Sequence, residues 1–255
     1  MKTSHSIKTA IGLFLALTVA CSSEKQEEDL LRVLHYENNE IILFYPDDIG
    51  SLTIAGGTAP YSVRCESEIV KVDTEPWPDE WPHTFHYETL GTGEAHILIS
   101  DASGQTLVLH ARIIYREWNV EIREHYASVN GELLTLAAQK ELKEKALAAI
   151  PVEVGGGYKF IFTEREAGSV YVYKEKIGAA YTEGSFTVSP GEESRLFHLR
   201  FDDTVHTYVE YRQPLSRATL SPLVVVAFYE ELTEKFKPEY PEAESVYSFQ
   251  YFYQR

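Results

Sequence analysis

The sequence predicts a mostly β chain: an antiparallel β-sandwich followed by an α+β domain, in which one long helix packs on a curved antiparallel sheet. Three observations lead there. Short runs rich in Val, Ile, Tyr and Phe recur along the chain, and Gly, Pro, Asp and Ser punctuate them. Many of these runs alternate apolar and polar residues with the period of two that a half-buried strand requires. Only Leu133–Ile150 carries a strong helical spacing.

The first segment reads as an export signal. Lys2 and Lys8 supply positive charge, and Ile11 to Ala20 (IGLFLALTVA) is an uncharged run of ten residues. A bilayer-spanning helix takes about 20 apolar residues, so this run is an h-region rather than a span. It ends Leu17-Thr18-Val19-Ala20-Cys21, followed by Ser22-Ser23-Glu24 and the acidic Glu27-Glu28-Asp29. This resembles the lipobox of bacterial lipoproteins in its looser Bacteroidetes form, with Thr18 where the family prefers Leu. The resemblance implies a signal peptide over 1–20, cleavage before Cys21 and diacylation of that thiol. The acids that follow resemble the signal by which those bacteria send lipoproteins to the outer surface. The implied location is the outer membrane, lipid-anchored, facing the cell surface or the periplasm. The other reading is an ordinary secretory peptide cut after an Ala.

Residues 21–37 then read as the lipidated cysteine and a tether, polar at first and apolar at Leu30, Leu31, Val33 and Leu34. Over 38–116 the pattern predicts seven strands: Ile41–Tyr45, Ser51–Ile54, Tyr61–Cys65, Ile69–Asp73, Thr84–Glu88, Ala95–Ser100 and Thr106–Tyr115. Turn residues separate them, such as Gly56-Gly57-Thr58-Ala59-Pro60 and Asp101-Ala102-Ser103-Gly104. That spacing argues for an antiparallel sandwich. The series from Ile54 to Val63, then Glu68 to Val72, Leu90 to Ala95 and Ile97 to Gln105 is similar to the bacterial Ig-like repeats of cell-surface proteins. The resemblance implies an immunoglobulin-type sandwich that serves as spacer or adhesion module, with no catalytic residues.

Residues 117–255 form the second predicted domain. Leu133–Ile150 is rich in Ala, Leu, Glu and Lys, good helix formers. Leu134, Ala138, Leu142, Ala146, Ala149 and Ile150 make one apolar stripe; Asn130 can cap the start, and Pro151 stops the end. Strands are expected at Tyr158–Thr163, Ser169–Tyr173, Gly184–Val188, Arg195–Phe201, His206–Tyr211, Leu223–Tyr229 and Val246–Tyr253. A short helix is expected at Glu230–Lys237. An outer-membrane barrel is set aside, because such barrels need strands of about ten residues with a lipid-facing apolar band. Several strands here are shorter and carry Glu or Lys at their ends.

Composition narrows the function. The 255 residues carry 23 Lys+Arg against 39 Asp+Glu, a net charge of −16, so binding to a nucleic-acid backbone is not expected. Loss of Lys2 and Lys8 with a signal peptide leaves 21 bases against 39 acids, or −18. Two cysteines are too few for a disulfide framework or a Cys-rich zinc module. With Cys21 lipidated, Cys65 is a lone thiol that reads as a small buried hydrophobe.

Chemical motifs are scarce. No G-x-S-x-G, Walker A or H-E-x-x-H sequence occurs. Gly155-Gly156-Gly157 opens a strand, which reads as a flexible loop rather than a phosphate cradle. His83 and His86 would point to opposite faces of a strand, while His110, His198 and His206 stand alone in theirs. Asp47-Asp48 and Asp202-Asp203 read as turn chemistry. The expectation is therefore a non-enzyme with no metal and no cofactor. The aromatics Tyr247, Phe249, Tyr251 and Tyr253 share one face of the last strand and read as core.

One segment stands above this background: Pro76-Trp77-Pro78-Asp79-Glu80-Trp81-Pro82-His83. Trp77 and Trp81 are rigid aromatics beside Asp79 and Glu80. They suit a platform on which sugar rings stack while the carboxylates take hydroxyl hydrogen bonds. The other reading, which the usual burial of large aromatics favours, is that the same tryptophans fold back over the sandwich or dock on the second domain. The expected function is thus an envelope lipoprotein whose Ig-like spacer presents a C-terminal domain to a glycan or protein partner. A structural subunit of a fimbria or outer-membrane complex, and a hydrolase with an unrecognised site, are the alternatives.

Overall fold

The computed structural model describes residues 30–36, 38–46, 48–76, 83–191, 194–213 and 224–254. The chain is mostly β, with antiparallel sheets, and divides into two units, Met1–Ile114 and Tyr115–Arg255.

The first unit contains β1 (Arg32–Val33), β2 (Glu40–Tyr45), β3 (Ile49–Ala55), β4 (Ser62–Cys65), β5 (Val70–Val72), β6 (Thr84–Thr89), β7 (Gly93–Ser100) and the start of β8 (Thr106–Glu121). One sheet has the order β1-β3-β6-β5; in the other, β4, β7 and β8 are neighbours and β2 pairs with β8. Side chains alternate as the sequence pattern requires: Ala95, Ile97 and Ile99 are buried, while Glu94 and His96 are exposed. Leu52, Ile54 and Phe85 of the first sheet and Val63, Ile97, Ile99 and Leu109 of the second belong to one core. Asp101 closes the turn between β7 and β8. Its carboxylate accepts the backbone N–H groups of Thr58 and Gln105, both at 2.7 Å, and the Ser103 hydroxyl. These bonds hold its carboxyl below the usual range, although burial opposes them. The stretch expected to be tether enters this fold early: Leu31 and Val33 are buried, and Arg32 and Val33 pair with Ala55 and Ile54.

In the second unit β8 continues into β9 (Glu124–Asn130), followed by α1 (Leu136–Ala148), β10 (Gly157–Glu164), β11 (Ala167–Tyr173), β12 (Thr182–Pro190), β13 (Arg195–Phe201), β14 (Thr204–Gln213), β15 (Val224–Glu231), α2 (Thr233–Phe236) and β16 (Ser245–Gln254). From β10 to β16 each strand pairs antiparallel with the next. Residues 116–121 of β8 pair with β10, and β9, two residues further on, pairs with β16. Ile122 donates its N–H to the Gly156 carbonyl and Arg123 to the Tyr251 carbonyl, so one run of chain meets both ends of the meander and the sheet curls on itself. Aromatics fill its concave side. Phe160, Phe197, Phe228 and Phe252 surround Trp118 with ring centroids 5.2–5.8 Å away.

The helix is shorter than its sequence pattern. It spans 13 residues, and its cap is Thr135, whose hydroxyl accepts from the Ala138 N–H at 3.2 Å. Asn130 instead ends β9, and its side chain bonds Ser245. Of the expected stripe, Leu142 and Ala146 are buried against Ala127, Val129 and Val246 and Ala138 packs on the same cluster, whereas Leu134, Ala149 and Ile150 lie outside the helix. The glycine run is not a flexible loop. Gly157 begins β10, where a methyl group would overlap the Val120 carbonyl, and at Gly156 one would overlap the Tyr173 carbonyl. The sequence is glycine there because two backbones come too close for a side chain.

Candidate functional site

Cys21, Trp77, Asp79, Glu80 and Trp81 lie outside the described residues. The site the structure does assemble is on the convex face of the second unit's sheet. On β16 the positions alternate: Val246, Ser248, Gln250 and Phe252 are buried, whereas Tyr247, Phe249 and Tyr251 are only half-buried. The helix packs on the face that carries Ala127, Val129 and Val246, which leaves Tyr126, Tyr247, Phe249 and Tyr251 on the opposite face. The expectation that these last-strand aromatics form core is therefore corrected.

Register places their neighbours. Phe249 stands between Tyr126 of β9 and Tyr229 of β15, with ring centroids at 5.8 and 5.5 Å. Tyr247 adds to one end of this row, 5.8 Å from Tyr229, and Tyr251 stacks beside Phe249 at 6.1 Å. Ala227 lies between Tyr251 and Tyr211 and is fully covered. Tyr126 and Tyr211, at the two sides of the patch, keep 49% and 47% of their surface in water, enough for a ligand to cover. Glu124, opposite Tyr251, and Glu231, opposite Tyr247, supply carboxylates at the rim.

Electrostatics keep the tyrosines neutral. Burial raises the pKa of Tyr247 and Tyr251. The Glu231 charge and Tyr229 add to the first shift, and Tyr126, Glu124 and Tyr211 add to the second. Protonated phenols can donate as well as accept hydrogen bonds. Six rings on four adjacent strands thus form a contiguous aromatic surface with a polar rim. Tyr171, Tyr173 and Tyr181 make a smaller cluster on β11 and the loop after it.

No family model matches the chain. A search of curated proteins finds no match either.

The concave side is packed rather than hollow. Tyr158 and Tyr208 are fully buried there, and the Tyr158 hydroxyl donates to the Gln250 carbonyl oxygen at 2.9 Å. On β14, opposite the start of β13, Glu210 is 4% exposed and its carboxylate accepts from Arg195 at 2.7 Å and from Arg212 at 2.9 and 3.1 Å. Burial pushes its carboxyl up, but the two guanidinium groups more than offset that and hold it below the usual range.

The histidines take individual places. His83 packs edge-on to Tyr61, and His86 hydrogen-bonds the Gly50 carbonyl. His198 sits between the Ser189 and Thr207 hydroxyls, and His206 lies 3.3 Å from Glu230. His110 does not stand alone, because His96 is directly opposite it. Asp202 and Asp203, both at positive φ, form the two-residue turn of the β13–β14 hairpin, and Asp202 pairs with Lys174 at 2.5 Å. Among the described residues no group of three or more His, Cys, Asp or Glu is placed to hold a metal ion. Cys65 is free and packs at the edge of the first unit's core.

Proposed function

We propose that the chain is a lipid-anchored envelope protein that binds a neutral glycan on the convex aromatic face of its second unit. The observation that carries this reading is the row Tyr126–Phe249–Tyr229 with Tyr247, Tyr251 and Tyr211 around it, on the side of the sheet away from the helix, with Tyr126 and Tyr211 about half exposed and the other four partly buried. Solvent-facing aromatics in one contiguous patch are costly to leave in water, and such patches mark binding surfaces. Sugar rings present apolar C–H faces to stack on tyrosine and phenylalanine, while their hydroxyls match the neutral phenols and the Glu124 and Glu231 carboxylates. A net charge of −16 disfavours acidic polymers, so the expected glycan is uncharged.

The first unit fits the role of an immunoglobulin-like sandwich used as spacer. Supporting this is the single core to which both of its sheets contribute. The sequence around Cys21 supports an acyl anchor that holds the chain at the outer membrane. Several acyl chains on one residue make a stable anchor, each buried methylene adding about 0.8 kcal/mol.

The test is a glycan array on the full chain, followed by titration of the best neutral ligand. Tyr126→Ala and Tyr211→Ala should each weaken binding by about 5- to 30-fold, as for aromatic contacts that a ligand covers, while the melting temperature stays the same. Unchanged affinity in both variants, or retention of acidic polymers only, would refute the site. A native product whose Cys21 carries no lipid would refute the anchor.

A further inference from the structure

We propose that His96 and His110 form a binding site for a late first-row divalent transition ion, copper(II) in preference to zinc, on the solvent face of the first unit. This site does not depend on the glycan reading.

The strand geometry carries the argument. β7 and β8 are antiparallel, and their register sets His96 opposite His110. The His110 N–H donates to the Asn39 carbonyl at 2.8 Å, on the β2 side of the strand. A residue in an antiparallel strand sends its N–H and its C=O to the same side. His96 and His110 are therefore a non-hydrogen-bonded pair across β7 and β8, the arrangement in which opposed side chains come closest. Their ring centroids are 4.8 Å apart, with the planes nearly perpendicular at 84°.

That separation suits shared ligation. A metal about 2.0–2.1 Å from an imidazole nitrogen lies about 3.2 Å from the ring centroid. Two such rings then sit about 4.5 Å apart at a right-angled metal and about 5.2 Å apart at a tetrahedral one. The observed pair falls between. Both residues are exposed, so bringing one nitrogen of each ring toward a common point needs only side-chain rotation. Neither ring makes a hydrogen bond to another described side chain that would have to break.

The surroundings favour a cation without completing its shell. Glu40 and Glu94 line the hollow on one side of the pair together with Arg112, and Glu66 and Arg64 line the hollow on the other side of His96. No third histidine, cysteine or carboxylate among the described residues is placed as a ligand, so water or an outside ligand would fill the remaining positions. Two imidazoles in a tetragonal field with open positions select copper(II), which also leads the affinity order for nitrogen ligands. A bound ion would link β7 to β8 and stabilise the native state by mass action.

Copper(II) titration of the full chain tests this, comparing the natural protein with His96→Ala, His110→Ala and the double variant. The natural protein should take up one more equivalent than the double variant, with a paramagnetic resonance signal showing two nitrogen ligands. Each single variant should bind that equivalent at least 10-fold more weakly. Copper should raise the melting temperature of the natural protein and leave that of the double variant unchanged. Because both positions face solvent, the metal-free variants should melt with the natural protein. The same stoichiometry and two-nitrogen signal in the double variant would overturn the assignment.

Discussion

Glu210 shows how a single charge is kept inside a β protein. It faces inward beside Phe228, the residue that pairs with it across β14 and β15, yet only 4% of its surface reaches water. A carboxylate so placed is tolerable only when paired and hydrogen-bonded, and Arg195 and Arg212 do both. Their heads are about half exposed, which lowers the strength of the pair through solvent screening. Glu210→Gln should therefore cost about 1–2 kcal/mol near neutral pH, less than the loss of a fully buried partner. The pH dependence follows from the depressed carboxyl. Its contribution is fully present above the unfolded-state value, about 4.3, and disappears as pH falls through the lower folded-state value. Denaturant midpoints of the natural protein and the variant should accordingly converge as the solution is taken from pH 7 to pH 3. A gap that stayed constant would mean that packing rather than charge sets the cost. Nothing in the sequence around Glu210 announces this role, since it is one acid among 39 and its partners come from β13 and from its own strand.

At the level of elements, legibility depended on whether the two faces of a strand differ. Val170 and Val172 alternate with Ser169, Tyr171 and Tyr173, and Phe197, Leu199 and Phe201 with His198 and Arg200, so β11 and β13 were readable. β9 was not. Its inward positions are His125, Ala127 and Val129, and its largest side chain, Tyr126, points outward, so the period of two carries no hydrophobic contrast. β16 misled for a related reason. Both faces are apolar enough to be core, and a one-residue choice of parity exchanges every side chain. The face with Ser248 and Gln250 is the inner one because Tyr158 bonds Gln250 and the helix covers Val246. The available signal was that Val246 and Phe252 share parity with those polar residues. The glycines were a second misreading, resolved by the closeness of β8, β10 and the chain after β11. Gly157→Ala should destabilise the second unit by about 1–3 kcal/mol, because the methyl group meets the backbone at Val120, which cannot rotate away. Gly104→Ala separates the two possible costs in urea titrations: that glycine sits at positive φ with nothing within 4 Å of an added methyl group, so its variant reports backbone strain alone, whereas Gly157 is not at positive φ and its variant reports the overlap.

Across the whole molecule, the core is partitioned. The buried residues of the first unit, from Leu31 to Ile113, form one cluster, and those of the second, from Val120 to Phe252, form two others. The sequence pattern places its expected division between residues 116 and 117, where the glycine-punctuated strands give way to the stretch that leads into the helix. The second unit also satisfies its own sheet: β10 to β16 pair in succession, and β9 with the end of β8 supplies the remaining partners. With its hydrogen bonds and apolar burial both internal, residues 115–255 have what a domain needs to fold alone. Expressed as a fragment, they should give a cooperative melt and the near-ultraviolet circular dichroism of fixed aromatic rings. They should also retain the affinity of the full chain for any neutral glycan it binds, since all six rings of the convex face lie within the fragment. A fragment that melts without cooperativity would show that the curled sheet needs residues before Tyr115. A folded fragment that has lost the glycan would place part of the binding surface in the first unit.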